Sequence, residues 1–190
     1  MRVIAGMAKG HSLKAPKGNK TRPTSDRIRE ALFNILQNVV HDASILDLFA
    51  GTGALGIEAL SRGAKRATFV ESWSAAYQCI ISNLAATKLT EFAEVVHDDA
   101  FAFLNSCQDK YDIIFIDPPY QKNFAEEALK TIGQKSLLTA DGLVVVETSK
   151  DENLPPVLST LINYRQNRYG DTVLWFYRSA EDKEETHGHL

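Results

Sequence analysis

The chain has 190 residues, 44% of them hydrophobic, which suits one domain of ordinary size with a core large enough to fold alone. Its formal net charge of −3 hides an asymmetry: residues 1 to 29 carry eight Lys and Arg against the single acid Asp26, a balance of +7, so the other 161 residues carry −10. Two cysteines, Cys79 and Cys107, exclude a disulfide framework and lack metal-ligand spacing, so reduced thiols in a cytoplasmic protein are expected, with no metal.

The start, MRVIAGMAKG, lacks the apolar run of a signal peptide, and no stretch is long enough to span a bilayer. Residues 2 to 15 predict two short strands around a Gly-rich turn, followed by a flexible PKGNK loop, so that residues 1–22 form a basic arm. Such an arm is either a phosphate-binding surface or a solvated lysine-rich segment, and charge alone does not decide. Pro23-Thr24-Ser25 opens a leading helix over 23–40, capped by Thr24 or Ser25, with Ile28, Leu32, Phe33, Ile35 and Leu36 at helical spacing.

From Ser44 to residue 178 apolar strands at 45–49, 67–70, 92–97, 112–116 and 143–147 alternate with helices near 54–62, 73–88, 99–106 and 123–133. That rhythm implies right-handed crossovers and a parallel sheet covered on both faces. Residues 161–178 read as two more strands joined around Tyr169-Gly170-Asp171, a hairpin at one sheet edge. Residues 1–180 therefore make a single domain, and the acidic stretch 181–190 has too little apolar surface to pack and is expected to be disordered. The five histidines show no ligand spacing.

In an open parallel sheet the ligand sits beyond the C-terminal ends of the strands. After the first strand Gly51, Gly53 and Gly56 match G-x-G-x-x-G, and Glu71, twenty residues past Gly51, ends the second strand where a ribose-binding acid belongs. Both NAD and S-adenosylmethionine carry an adenosine, so these residues do not separate them. Two acids lean toward the methyl donor: Asp47 would repel a pyrophosphate but attract an ammonium and a sulfonium, and Asp99, beside Ala100, is placed to accept from an adenine amino group. The plainer reading of Asp99 is a helix N-cap.

The fourth strand ends at Asp117-Pro118-Pro119-Tyr120. Proline lacks a donor and fixes φ, so the pair ends the ladder in a rigid extended corner. An exocyclic amine on a nucleobase needs acceptors for its hydrogens and a flat face to stack on, and the tetrapeptide offers a carboxylate, unpaired carbonyl groups and an aromatic ring. Acceptors that favour a pyramidal nitrogen stabilise the transition state selectively. An Asp-Pro turn with a packed tyrosine is the structural alternative.

LDLFAGTGALGIEALSRGA together with FIDPPY resembles the amino-methylating branch of class I S-adenosylmethionine-dependent methyltransferases. MRVIAGMAKG and TRPTSDRIREALFNIL are closely similar to the bacterial small-subunit (16S) ribosomal RNA guanine-N2-methyltransferase family, a match running from Met1 to about Trp175. The resemblance implies an α/β, Rossmann-like seven-stranded sheet, mostly parallel with an antiparallel last strand, preceded by an N-terminal β-hairpin and helix. It implies a cofactor loop of Asp47, Phe49, Gly51 and Gly53, with Glu71 and Ser72 at the ribose and Asp99 and Ala100 at the adenine. It places a flipped guanine against Asp117, Pro118, Pro119 and Tyr120, and ribosomal RNA against Lys9, Arg22, Thr24, Arg27 and Arg29. A monomer acting on a small-subunit particle is expected. His11-Ser12 and Ser72-Trp73-Ser74 depart from the family's usual basic and charged residues.

Arg22, Arg27 and Arg29 gather at a helix N-terminus, where backbone N–H groups add to the pull on phosphate; pairing with Asp26 and Glu30 is the alternative. Adenine-N6 methylation of DNA or RNA, a nicotinamide-dependent oxidoreductase and a non-catalytic RNA-binding factor remain as competing functions. The residues do not name which guanine is modified.

Overall fold

A computed structural model describes residues 1–16, 25–119 and 123–180. Arg22, Thr24, Tyr120 and the 181–190 tail lie outside the described residues, as does all of the PKGNK loop except Pro16. The first α-helix, α1 (Asp26–Ile35), starts at Ser25, whose Oγ accepts from the Ile28 N–H at 3.2 Å. Phe33 and Leu32 face inward, and the helix stops at Leu36 rather than near Val40. Leu36 and Val40 stay buried because a turn, with Val40 N–H bonded to the Leu36 carbonyl at 3.1 Å, continues the apolar spacing past the helix end.

β1 (Ser44–Leu48), β2 (Arg66–Val70), β3 (Ala93–Val96), β4 (Tyr111–Ile116) and β5 (Leu138–Ser149) form the parallel part of one sheet. β8 (Thr172–Ser179) joins β5 antiparallel, β7 (Leu161–Tyr169) pairs with β8, and the two-residue β6 (Val157–Leu158) lies outside β7. The strand order is β3-β2-β1-β4-β5-β8-β7-β6. The expected seven-stranded, mostly parallel α/β sheet with its last strand reversed is thus present, extended at one edge by β6. The β7–β8 loop is Gly170-Asp171, with Gly170 at φ +63 supplying the conformation a two-residue hairpin turn needs.

β5 begins at Leu138, five residues earlier than the apolar run suggests, because a register shift lets Leu138 pair with Tyr111 before Leu143 meets Ile113. The N-terminal segment is looser than a strand pair. It has one antiparallel bridge, Arg2 to Ser12, flanked by bonds from Val3 N–H to the His11 carbonyl and from Leu13 N–H to that of Met1.

Two apolar layers enclose the sheet. On one face α1, α2 (Ala54–Ser61) and α3 (Ser74–Thr87) pack on Ile45, Phe69, Phe115, Val145 and Phe176. On the other α4 (Ala100–Ser106) and α5 (Phe124–Lys135) pack on Leu46, Ile114, Ile116, Val144 and Val146. Every residue of β1 is buried, as a central strand covered on both faces requires. The chain leaves β1 toward β2 and β3 on one side and returns to β4 on the other, so the topological switch point opens between the C-terminal ends of β1 and β4. Among the described residues no helix is long and apolar enough to cross a membrane.

Candidate active site

Register fixes the site. Leu48 pairs with Val70 on one side and Ile116 on the other, so Phe49, Glu71 and Asp117 come level, one residue past the ends of three adjacent strands. With strands about 4.8 Å apart they share a front roughly 10 Å wide.

Behind that front lies a pocket of ≈ 430 Å³, within the range of small-molecule sites. Asp47, Phe49, Gly51, Glu71, Ser72, Asp99, Ala100, Asp117, Pro118 and Pro119 all line it. Gly53 does not line it; at φ +74 it starts α2. Met1, Thr52, Asp98 and Phe124 line it as well and carried no signal in the sequence, and so does Trp73, which stands where the chain departs from the family pattern.

The loop after β1 turns sharply. Phe49 takes φ +61, Gly51 +56 and Gly53 +74. For a phenylalanine the left-handed conformation costs on the order of 1–2 kcal/mol, and the pocket wall is where that strain sits. Its ring is held from outside, stacked 6.1 Å from Phe124 and edge-on to Phe101 at 6.0 Å. Gly56 serves packing instead: a Cβ there would stand 2.3 Å from Cε1 of Phe69 on β2, so only glycine brings α2 this close to the sheet.

Glu71 braces the loop. Its Oε2 accepts from the Gly51 N–H and its Oε1 from the Trp73 N–H, each at 2.7 Å. Each carboxylate oxygen has a second acceptor position, so the brace leaves Glu71 able to accept from a pair of vicinal hydroxyls. His97 holds the neighbouring turn, with Nε2 3.1 Å from the Ser72 carbonyl and its ring stacked 4.7 Å from Tyr77.

Asp47 sits at the pocket floor, 2% exposed, its Oδ2 accepting from the Gly56 N–H at 2.9 Å. Burial raises its pKa to about 7, against the Gly56 hydrogen bond and with the help of the Glu71 charge. A cation entering the pocket would find here a carboxyl poised to ionise. Asp99 is the N-cap of α4, Oδ1 accepting from the N–H groups of Phe101 at 2.9 Å and Ala102 at 3.1 Å. The cap and the pocket wall are therefore one residue, not alternatives.

The basic residues divide. Lys9, in the turn of the arm, and Arg27 on α1 are exposed. Arg29 is not, and its expected role on RNA phosphate is corrected: its side chain is 0% exposed. Nη2 donates to the Arg2 carbonyl and to Asp26 Oδ1, and Nε lies 3.7 Å from Glu58 Oε2. Burial lowers its pKa, opposed chiefly by Glu58.

Glu58, fully buried on α2, is the hub. It accepts from the N–H groups of Ile4 at 2.8 Å and Ala5 at 3.0 Å and from Arg62 Nε at 2.7 Å. Ser61 adds a second clasp, donating to the Ala5 carbonyl at 2.6 Å and accepting from the Ala8 N–H at 3.0 Å. The arm is thereby fastened to α2, with Met1 at the pocket.

The family model described as Conserved hypothetical protein 95 matches residues 1–178. The chain belongs to this family. Within it, the chain is 38% identical over 184 residues to the Escherichia coli K12 protein named Ribosomal RNA small subunit methyltransferase D, covering 97% of this chain and 92% of that one. The Haemophilus influenzae protein of the same name is 40% identical over 157 residues, 81% of each chain. The solved structure of yhhF from Escherichia coli superposes with a TM-score of 0.84 at 36% identity, covering 94% of this chain and 97% of that one. The family resemblance read from the motifs thus holds at the level of the small-subunit ribosomal RNA methyltransferases. The fold also matches a Thermus thermophilus 16S rRNA N2 G1207 methyltransferase, solved with AdoMet and guanosine, with a TM-score of 0.64 at 22% identity over 86% of this chain and 44% of that one.

Proposed function

We propose that the protein methylates small-subunit ribosomal RNA, transferring the methyl group of S-adenosylmethionine to the exocyclic N2 amine of a guanine. One observation carries the reading: the glycine loop, Glu71 and the Asp117-Pro118-Pro119 corner all wall a single pocket at the switch point. The names of the family's small-subunit ribosomal RNA methyltransferases support the substrate class.

The residues fit an adenosine-bearing sulfonium donor. Glu71 offers both carboxylate oxygens to the ribose, Asp99 and Ala100 face the adenine, and Asp47 supplies the negative charge a cationic donor calls for. The donor supplies an activated methyl group bound to sulfur. The protein then has to hold a weakly nucleophilic amine in line with it. Asp117 accepts an amine hydrogen and favours a pyramidal nitrogen, Pro118 and Pro119 keep that carboxylate and the neighbouring carbonyl groups still, and positioning provides much of the rate. Tyr120 is assigned the stacking face for the flipped base.

Incubating the protein with tritiated donor and ribosomal particles from cells lacking it should place label in RNA, in a guanosine carrying a methyl on N2. Asp117→Ala should abolish incorporation. Label in N6-methyladenosine would overturn the base assignment, and undiminished incorporation by the variant would remove Asp117 from the reaction.

A further inference from the structure

We propose that the outer strand pair β7–β8 presents a second RNA-binding surface, a strip of arginines laid on aromatic rings, which takes the sugar-phosphate backbone flanking the methylated base. The proposal rests on the reading above that the substrate is RNA.

Arg165 pairs across β7–β8 with Phe176, and Arg178 with Ile162, so all four side chains stand on the face that also carries α1. α5 packs across β5, β6 and β7 on the opposite face. Here the sheet is roofed by its own residues. The Arg165 guanidinium lies 5.7 Å from the ring centre of Phe176, and that of Arg178 lies 5.2 Å from the ring centre of Tyr164, which is 43% exposed. Tyr164, two residues past Ile162, stands on this face with its ring 6.3 Å from Phe176, and the register shift between Asn163 and Arg165 brings Arg165 onto it as well.

The charges are unspent. No ion pair among the described residues involves Arg165 or Arg178. Arg165 Nε donates to Asn167 Oδ1 at 2.7 Å, a neutral acceptor that fixes the fork without neutralising it. Arg178 Nε is buried and has no hydrogen-bond partner among the described residues. Three arginines and one aspartate over residues 161–179 give +2 on a body that is otherwise strongly acidic, and planar guanidinium groups held against rings are suited to phosphate and to unstacked bases.

Charged side chains also guard sheet edges against pairing with other chains. That role does not explain Arg178, since β8 is an interior strand with β5 on one side and β7 on the other. The strip starts near the substrate and runs away from it: Arg165 is level with Phe115 and Arg178 with Ile113, which suits RNA backbone flanking the base rather than the base itself. Ser149 pairs with Thr172, so the β7–β8 turn and Arg168 come to the same end of the sheet as Asp117. β7 is three strand spacings from β4, about 14 Å.

The test uses the full chain with Arg165→Gln and Arg178→Gln combined, titrated against transcribed small-subunit ribosomal RNA over a range of salt. Affinity should fall roughly tenfold at low salt, and the slope of log affinity against log salt should shrink by about 1.4 to 1.8, at 0.7 to 0.9 per lost phosphate contact. S-adenosylhomocysteine affinity should not change. If the double variant fails to fold, the exposed Arg165→Gln alone should lower the slope by about 0.7 to 0.9. An unchanged slope in a folded variant overturns the proposal. So does a loss confined to assembled particles with naked RNA unaffected, which would assign the face to a ribosomal protein. RNA binding that depends on these arginines in a wild-type protein without methyl transfer would keep the surface and sink the enzyme reading; methylation and binding both indifferent to them would do the reverse.

Discussion

Replacing Asp47 by Asn should stabilise the unliganded protein, and by more as the pH rises. The carboxyl is buried at the pocket floor and its pKa is raised from 3.8 to about 7, first by burial and then by the Glu71 charge, with the Gly56 hydrogen bond pulling the other way. The folded protein therefore holds this proton more tightly than the unfolded chain does. Below about pH 4 both states are protonated and there is no penalty; between about 4 and 7 ionisation increasingly favours unfolding; above that the cost is constant. From pH 5 to pH 8 the interval covers about two pKa units, or about 3 kcal/mol at 1.36 per unit. Asn keeps an oxygen for the Gly56 N–H and cannot ionise, so its own packing cost is the same at both pH values and cancels in the difference. Urea unfolding of wild type and variant at pH 5 and pH 8 should show the variant's relative stability growing by about 2–3 kcal/mol. A difference that does not move with pH would refute the buried, proton-holding carboxyl. In the proposed function a cationic donor draws the proton off, so wild-type affinity for S-adenosylmethionine should rise through pH 7 and that of the variant should not.

Two further substitutions probe the frame around the site. Glu58→Ala removes the acceptor shared by Ile4, Ala5 and Arg62 and leaves Arg29 buried beside an empty place; chemical denaturation should show a loss of about 3–5 kcal/mol, and limited proteolysis should open the first 16 residues. A loss below about 1 kcal/mol would mean that the clasp contributes little. Gly56→Ala puts a methyl group 2.3 Å from the Phe69 ring; α2 must shift, costing about 1–3 kcal/mol, and a thermal midpoint unchanged within a degree would show that the helix has room.

The core was largely legible because its signals are local. Buried parallel strands read as apolar runs, helices as 3.6-residue spacing, and Gly170 marked its own turn. Where boundaries slipped, a local signal had a distant cause. The apolar run marks β5 only from Leu143, yet the strand starts at Leu138 and passes through Gly142, where the chain comes close to β4: a Cβ there would stand 2.9 Å from the Tyr111 carbonyl. Leu36 to Val40 keeps helical spacing because both ends of a turn are buried, and spacing reports burial rather than hydrogen bonding.

The site shows the same division. Gly51 and Glu71 were placed at the pocket by motif spacing in a strand-turn-helix unit, which fixes their geometry, and Phe49 by the family resemblance. Phe124 was not, since it faces the pocket only through the stacking of its ring on Phe49 from a helix 75 residues away. Arg29 went wrong for a stronger reason. Three arginines at a helix start repel one another unless an anion arrives, and for Arg29 the anions are internal: Asp26, the alternative its own segment offered, and Glu58 on the next helix, invisible to any reading of residues 22–30. The positive arm is thus built partly to hold itself against α2 and only partly to face outward. Among the described residues the outward share is what Arg2, Lys9, Lys14 and Arg27 offer, and the arginines of β7 and β8 would add phosphate contacts on a separate surface, each steepening the salt dependence of RNA binding.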